Sequence, residues 1–554
     1  MGLRTPMRVY CTTHWLITAV LLTISLVESL IVTTEQGIVN GTYSTSRRGK
    51  IFNAFYGIPY AQPPVGKLRF KPPKYAKPWT GVLDSSITPT GSLRIPFNTS
   101  QVEGDEDCLK LNVYTPLNAR KGDNLAVMVF LVGGTFHLSS NMDPGPQYIM
   151  DQNVVLVIPN YRLGALGLLT TGDAVISGNY QLKDQTMALK WIQQNIRNFG
   201  GDPNNVTLHG HSSGSTCAHL HTVSPSSKGL FHRIIMQSSN EGALFYKRDV
   251  IRGIVEEFAT KAGCPNTTTS ESIYECLMAL DAKEFPIIEQ TMPVWYAYPT
   301  SIFLPTIEDE YSEEPFITSR PSSEHYHSPS MPWIIGFLTS EGAFKAVELL
   351  QKGGNLAAEV DQHYKLLFPI MLGYLWNTKL SYLDNISRTL RSHYFGNRKI
   401  GAETSHEITK LFTDGVYGVP IISDIRRYPG PKYVYWFDYR SNYLAQNIHA
   451  YYEQFLGVSH ETDLTLIYSK KQSAPLLTNR DHMFSEELVK RWVNFVQTGN
   501  PNHPIEINED VIDYWNPMVS DRIEYLLIKL NGTMETDLYK GTYDFWTSLP
   551  IGVV

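Results

Sequence analysis

The sequence predicts an α/β fold, a large and mostly parallel sheet with helices on both faces. Three observations lead there. Continuous apolar runs at Leu125–Val132 (LAVMVFLV), Val154–Pro159 (VVLVIP), His232–Gln237 (HRIIMQ) and Trp333–Phe337 (WIIGF) have the length and composition of strands covered on both sides. Between such runs lie segments with apolar residues at helical spacing, such as Gln185–Phe199, stopped by Gly200-Gly201. A further run, Val206–Leu208, leads into Gly210-His211-Ser212-Ser213-Gly214 and then into helix-compatible residues as far as Pro225. Buried strands alternating with amphipathic helices build a parallel sheet.

The remaining elements follow in chain order. Arg4 and Arg8 precede the apolar stretch Trp15–Val27, which is short for a membrane span, and Val27-Glu28-Ser29 offers small residues for cleavage before Leu30. Residues 1–29 therefore read as a secretory signal peptide, the alternative being an uncleaved anchor. Leu30–Thr45 alternates and turns like a hairpin. Phe52–Phe70, dense in Gly and Pro, reads as an extended, rigid connection. Asp107–Tyr114 alternates apolar and polar residues, as a strand does. The region from Gly242 to Arg320 is helical and rich in loops, and a helical region follows Trp333–Phe337 to about Tyr417. Tyr433–Tyr439 is a strand, and Phe484–Thr498 is an amphipathic helix closed by Gly499-Asn500-Pro501. No repeat or clean boundary divides residues 30–554, which read as a single domain.

Composition narrows the functional classes. The 554 residues carry a formal net charge of -6 with no long basic run, which argues against nucleic-acid binding. The C-terminus lacks the hydrophobic tail of a lipid anchor. Glycosylation sequons begin at Asn40, Asn98, Asn266, Asn385 and Asn531, in keeping with secretion to the extracellular space; a sixth, at Asn205, enters the buried strand before Ser212. Cys264 and Cys276 bracket a short loop and are the best disulfide candidates in an oxidising compartment. Cys11 leaves with the signal peptide, and Cys108 and Cys217 remain, either paired or free, with Cys217 reading as a small buried residue.

The chemistry concentrates at Ser212. A serine at a sharp strand-to-helix turn stands above the sheet in a strained backbone conformation, beside the orphan N–H groups of the next helix. Gly210 and Gly214 leave room where a Cβ would collide with the neighbouring strand and helix. The histidines at 209, 211, 219 and 221 do not read as a metal set, because the turn sends them to diverging surfaces and no thiol or carboxylate group joins them.

With these stretches placed, the chain resembles the type-B carboxylesterase and cholinesterase family of α/β-hydrolases, in particular insect-type secreted carboxylesterases, from about Ile31 to Trp546. The residues that carry the resemblance are Phe55-Tyr56-Gly57-Ile58-Pro59-Tyr60-Ala61, Pro63-Pro64-Val65-Gly66, Glu106-Asp107-Cys108-Leu109, Asn160-Tyr161-Arg162, Gly178-Asn179, Asp184-Gln185, Phe199-Gly200-Gly201-Asp202-Pro203 and Gln237-Ser238. The resemblance implies a serine esterase acting on small-molecule carboxylic esters with no cofactor. It casts Ser212 as nucleophile, Glu341 in Ser340-Glu341-Gly342 as triad acid, and His460 in Gly457-Val458-Ser459-His460 as general base. It implies an oxyanion hole from the backbone N–H groups of Gly134, Thr135 and Ser213. It also implies a hydrogen bond from Ser238 behind the triad and a structural ion pair between Arg69 and Glu106. The family includes adhesion and carrier proteins without catalysis, so a non-catalytic binding protein on the same scaffold is the alternative reading.

The chain departs from the family pattern in four places. Thr135 stands where the family has a third glycine, and a β-branched residue there is expected to crowd the space above Ser212 and slow turnover. His211 replaces a glutamate, which argues against choline esters. Ser213 replaces an alanine. Asp84–Ile95 lacks the cysteine that would pair with Cys108.

Overall fold

The computed structural model describes residues 30–96, 99–138, 144–238, 245–321, 326–351, 355–442, 455–470, 477–502, 514–519 and 521–552. The signal reading for residues 1–29 and the sequon at Asn98 lie outside them. An eleven-stranded sheet runs in the order β14 (Met534–Thr536), β13 (Glu524–Ile528), β12 (Lys432–Phe437), β11 (Trp333–Leu338), β10 (Arg233–Gln237), β9 (Gly201–His211), β7 (Leu125–Leu131), β8 (Val155–Pro159), β6 (Lys110–Pro116), β4 (Ile51–Pro59) and β3 (Thr42–Thr45). From β8 to β13 every neighbouring pair is parallel; antiparallel pairing is confined to the two edges. β1 (Ile31–Thr33), β2 (Ile38–Asn40) and β5 (Val82–Asp84) form a separate small sheet, with β1 and β2 as the expected hairpin.

The apolar runs became central strands because both of their faces are buried. Along β7, Val127, Val129 and Leu131 join one core with Trp191, Ile192 and Cys217, on the helices Tyr180–Asn195 and Ser213–His221. Met128 and Phe130 point the other way, into a core with Leu488, Val489 and Trp492 of the helix Asn479–Thr498. The two-residue period of the strand thus deals alternate side chains to helices above and below. A third core joins Phe368, Phe395 and Phe412 of the helical region after β11 to Tyr298 and to Trp546 of the C-terminal helix, and roofs the site described below.

One reading needs correction, and one region had none. Phe52–Phe70 is not all connection: its first half lies in β4, nine residues long, which pairs with β3 and β6 and shifts register between Phe55 and Ile58. Gly and Pro density there marks a bulged strand near the sheet edge. The two strands Glu524–Ile528 and Met534–Thr536 and the helix Lys540–Thr547 at the C-terminal end had no sequence reading.

Cys264 and Cys276 form a disulfide, with Cα atoms 5.7 Å apart, while Cys108 and Cys217 are free and buried. Burial pushes both thiols up to about 12. Asn266, Asn385 and Asn531 are exposed, and Asn40 is half-buried. Asn205 is engaged at both ends of its amide, accepting from Arg233 and donating to the Gln497 carbonyl. Among the described residues, no helix is long and apolar enough to cross a membrane.

Candidate active site

Ser212 stands at the carboxyl end of β9, between the strand and the helix Ser213–His221, with φ 55° and ψ −128°. This is the strained turn that the motif calls for, and it persists because both flanks hold it. The Ser212 N–H donates to the Gln237 carbonyl at 2.9 Å, while the Ser212 carbonyl accepts from Ser215 and Thr216. A Cβ on Gly210 would run into the Gly214 carbonyl, and one on Gly214 into the Leu131 carbonyl. The two glycines therefore let strand and helix close on one another.

Glu341 follows β11 and is fully buried. Its Oε1 accepts from the Leu338 N–H at 2.9 Å and from the Ser238 hydroxyl at 2.5 Å, which leaves Oε2 for His460. His460 Nδ1 lies 2.6 Å from that Oε2, and its Nε2 lies 3.0 Å from Ser212 Oγ. The loops that carry acid and histidine touch: the Ser340 N–H donates to the Val458 carbonyl at 3.1 Å, and Gly457, at φ 108°, passes so close to Ser340 that a side chain would not fit. The structure thus brings together Ser212, Glu341, His460 and Ser238, which the chain keeps far apart.

Electrostatics suit a proton shuttle. Burial pulls the His460 imidazole down, but the Glu341 carboxylate and its hydrogen bond outweigh this, and the net shift is upward. The ring is gripped by Phe344, Tyr417 and His211, at centroid distances of 5.6, 4.9 and 4.9 Å. Burial first, and the neighbouring His460 second, hold His211 well below its ordinary value, so it is neutral. Tyr417 reaches the ring from a widened, π-type helical turn at Thr413–Gly418, an irregularity common at functional sites.

The turn after β7 lies across from Ser212. Thr135 adopts φ 49° and Phe136 φ 64°, so a β-branched residue does occupy the left-handed region there. The Gly134 carbonyl accepts from the N–H groups of His137 and Leu138, which fixes the peptide carrying the Thr135 N–H. The next peptide is pinned at both ends. The Thr135 carbonyl accepts from Ser301 Oγ at 3.0 Å and from His137 Nδ1 at 2.7 Å, and the Phe136 N–H donates to Ser213 Oγ at 3.2 Å. Because a carbonyl only accepts, the His137 proton sits on Nδ1. Among the described residues, no protein acceptor takes the N–H of Gly134, Thr135 or Ser213. Nothing in the sequence pointed to Ser301 or His137, since neither belongs to a periodic or motif-bound pattern; Ser213 lies in the elbow motif, but its hydroxyl had no reading there.

A largely apolar cavity of about 440 Å³ opens over Ser212, walled by Tyr246, Tyr298, Phe344, Met371, Tyr374 and Trp376. The remaining site residues lie elsewhere. Arg69 Nε and Nη2 meet the Glu106 carboxylate at 2.5 and 2.9 Å, and Arg69 Nη1 donates to the Leu280 carbonyl, tying the early loop to the helix Ser270–Ala279 and the turn beyond it. The remaining histidines of the 209–221 group separate. His209 meets Tyr468 and Gln237, His219 meets Tyr326, and His221 meets Ser227 and Gln185.

A parallel sheet that raises a serine on a strand-to-helix turn, with a histidine and a buried glutamate in line behind it, defines an α/β-hydrolase. The chain belongs to the carboxylesterase family, whose model matches residues 28–546, and it is a carboxylic-ester hydrolase. It is 32% identical over 539 residues to a carboxylic ester hydrolase of Bombus ignitus, covering 94% of each chain. It is 33% identical over 481 residues to esterase E4 of Myzus persicae, covering 84% of this chain and 86% of that one. Its fold matches the crystal structure of a juvenile hormone esterase from Manduca sexta with a TM-score of 0.82, at 24% identity and covering 94% of this chain and 99% of that one.

Proposed function

We propose that the protein is a secreted serine carboxylesterase that cleaves small-molecule esters through an acyl-enzyme on Ser212. The observation that carries this reading is the unbroken line Ser212 Oγ–His460 Nε2, His460 Nδ1–Glu341 Oε2, at 3.0 and 2.6 Å. A serine hydroxyl barely ionises near neutrality and needs a base within hydrogen-bond reach. His460 takes the Ser212 proton as Oγ attacks the ester carbonyl, then returns it to the departing alcohol. Glu341 holds the imidazole with its proton on Nδ1 and stabilises the imidazolium. The free N–H groups of Gly134, Thr135 and Ser213 are the donors for the tetrahedral oxyanion. Water deprotonated by His460 then releases the acid and regenerates Ser212. The size and apolar walls of the main cavity suit an uncharged ester of drug-like dimensions.

The apolar segment within residues 1–29, the exposed asparagines of three sequons and the disulfide support secretion. Labelling with a fluorophosphonate tests the catalytic reading: Ser212 carries the adduct, and Ser212→Ala abolishes both labelling and hydrolysis of nitrophenyl esters. Silence of the wild-type protein toward the probe would leave a binding protein on a hydrolase scaffold.

A further inference from the structure

A second chamber of about 270 Å³ adjoins the main cavity, and the two share Thr135, Pro299, Thr300 and Lys345 in their walls. It is mostly apolar, faced by Leu93, Ile95, Leu163, Leu166, Phe285 and Ile302. One group in it is out of character. Glu289, at the end of the helix Glu284–Glu289, is 8% exposed and lines this chamber. Its Oε2 accepts from the Ala165 N–H at 3.1 Å; among the described residues its Oε1 has no hydrogen-bond partner. Lys345 in the chamber wall is spent on Glu348 at 3.0 Å and lies 4.6 Å over the Tyr298 ring. The carboxyl thus keeps one oxygen satisfied by the backbone and leaves the other open toward the chamber, where a bound molecule can meet it.

We propose that this chamber takes the acyl arm of the substrate and that Glu289, as a neutral acid, donates a hydrogen bond from Oε1 to an uncharged acceptor on that arm, a keto or ether oxygen. This rests on the esterase reading above. The side of the arm follows from His460. The leaving alcohol takes its proton from His460, whose ring is flanked by Phe344 and Tyr417; both line the main cavity and neither lines the second chamber. The protonation state follows from burial, which raises Glu289 to about 7 against the opposing Ala165 N–H. With Oε2 already an acceptor, the proton belongs on Oε1. The other titratable groups facing the chamber are His137, whose Nδ1 is committed to the Thr135 carbonyl, Tyr296, and the Lys345–Glu348 pair.

The test compares esters of one alcohol with acyl chains of equal length, plain or carrying a keto oxygen. The readout is the ratio of their kcat/KM values, which cancels any loss of folded enzyme and any titration of His460. The wild type favours the keto chain, and the preference fades as pH rises through about 7, when Glu289 loses its proton. Glu289→Gln, whose amide still donates, keeps the preference but loses its pH dependence. Glu289→Leu lowers the ratio about tenfold, the worth of one neutral hydrogen bond. A keto alcohol, which has no scissile bond, reads the chamber by calorimetry even if Ser212 is inert: its dissociation constant relative to the plain alcohol rises about tenfold in Glu289→Leu. An unchanged ratio and an unchanged binding constant in Glu289→Leu would overturn the assignment. So would a wild-type preference for amine-bearing chains that grows with pH, since that marks a carboxylate holding a cation.

Discussion

Replacing Thr135 with glycine tests the turn beside Ser212. Thr135 holds φ 49°, a conformation that costs a residue with a Cβ about 1–2 kcal/mol. Glycine removes that cost but adds about 0.5–1 kcal/mol of chain entropy in the unfolded state, so the net change in stability is about zero to 1.5 kcal/mol in favour of the variant. The frame does not depend on the threonine side chain. The peptide carrying the 135 N–H is fixed through the Gly134 carbonyl, and the next peptide through Ser301, His137 and Ser213. The donor therefore stays in place, and what changes is the crowding above Ser212. Turnover of acetate and butyrate esters is expected to rise, by less than about tenfold, because the change is worth at most about 1.4 kcal/mol. A wall that shifts in position 135 borders both chambers, so longer acyl chains gain less uniformly. The assay is kcat and KM across nitrophenyl esters of increasing acyl length, alongside thermal midpoints at one scan rate. Unchanged or reduced turnover on the short esters would refute the argument that the threonine obstructs the site.

Other outcomes follow from the same geometry. Glu341→Gln lowers kcat by about 10⁴-fold, as the same amide substitution of the acid does in other serine triads. The acid limb of the rate profile moves with it. His460 must be neutral to act as base, so kcat/KM falls as pH drops through its raised value, and removing the Glu341 charge shifts that limb to lower pH; a pH series on both proteins checks the direction. Ser238→Ala takes one of the two donors from Glu341 Oε1, and is expected to reduce kcat severalfold with little change in KM and a small displacement of the same limb. Native protein is expected to be inert to a disulfide thiol reagent, because Cys108 and Cys217 are buried with thiols near 12; unfolding without reductant exposes both as free thiols while Cys264 and Cys276 stay paired.

Much of this architecture was legible in the chain because burial writes itself into composition. A strand covered on both faces has no polar positions, so β7, β8 and β11 stand out as apolar runs, and the helices between them show their own period. Edge elements carry weaker signals. β4 holds both exposed and buried positions and a bulge, and its Gly and Pro masked a strand of nine residues. β13 and β14 are short, and the segment before them is rich in Asn and Asp, which hides pairing that only neighbouring strands reveal.

The site divides along the same line. Sequence alone determined the Gly210–Gly214 elbow, because a tight crossing of strand and helix requires glycine at set places, and the family resemblance carried by its motifs implied Glu341 and His460. It also flagged Thr135 as a departure. Only the tertiary structure decided that Glu341 turns one oxygen to Ser238 and the other to His460, that Ser301 and His137 clamp the Thr135 carbonyl, and that Glu289 leaves an oxygen open in a second chamber. Apart from the local His137–Thr135 contact, these pairings join residues more than a hundred positions apart. A hydrogen bond needs atoms within about 3 Å of each other, and that proximity is a property of the packed sheet and its covering helices rather than of any local stretch of chain.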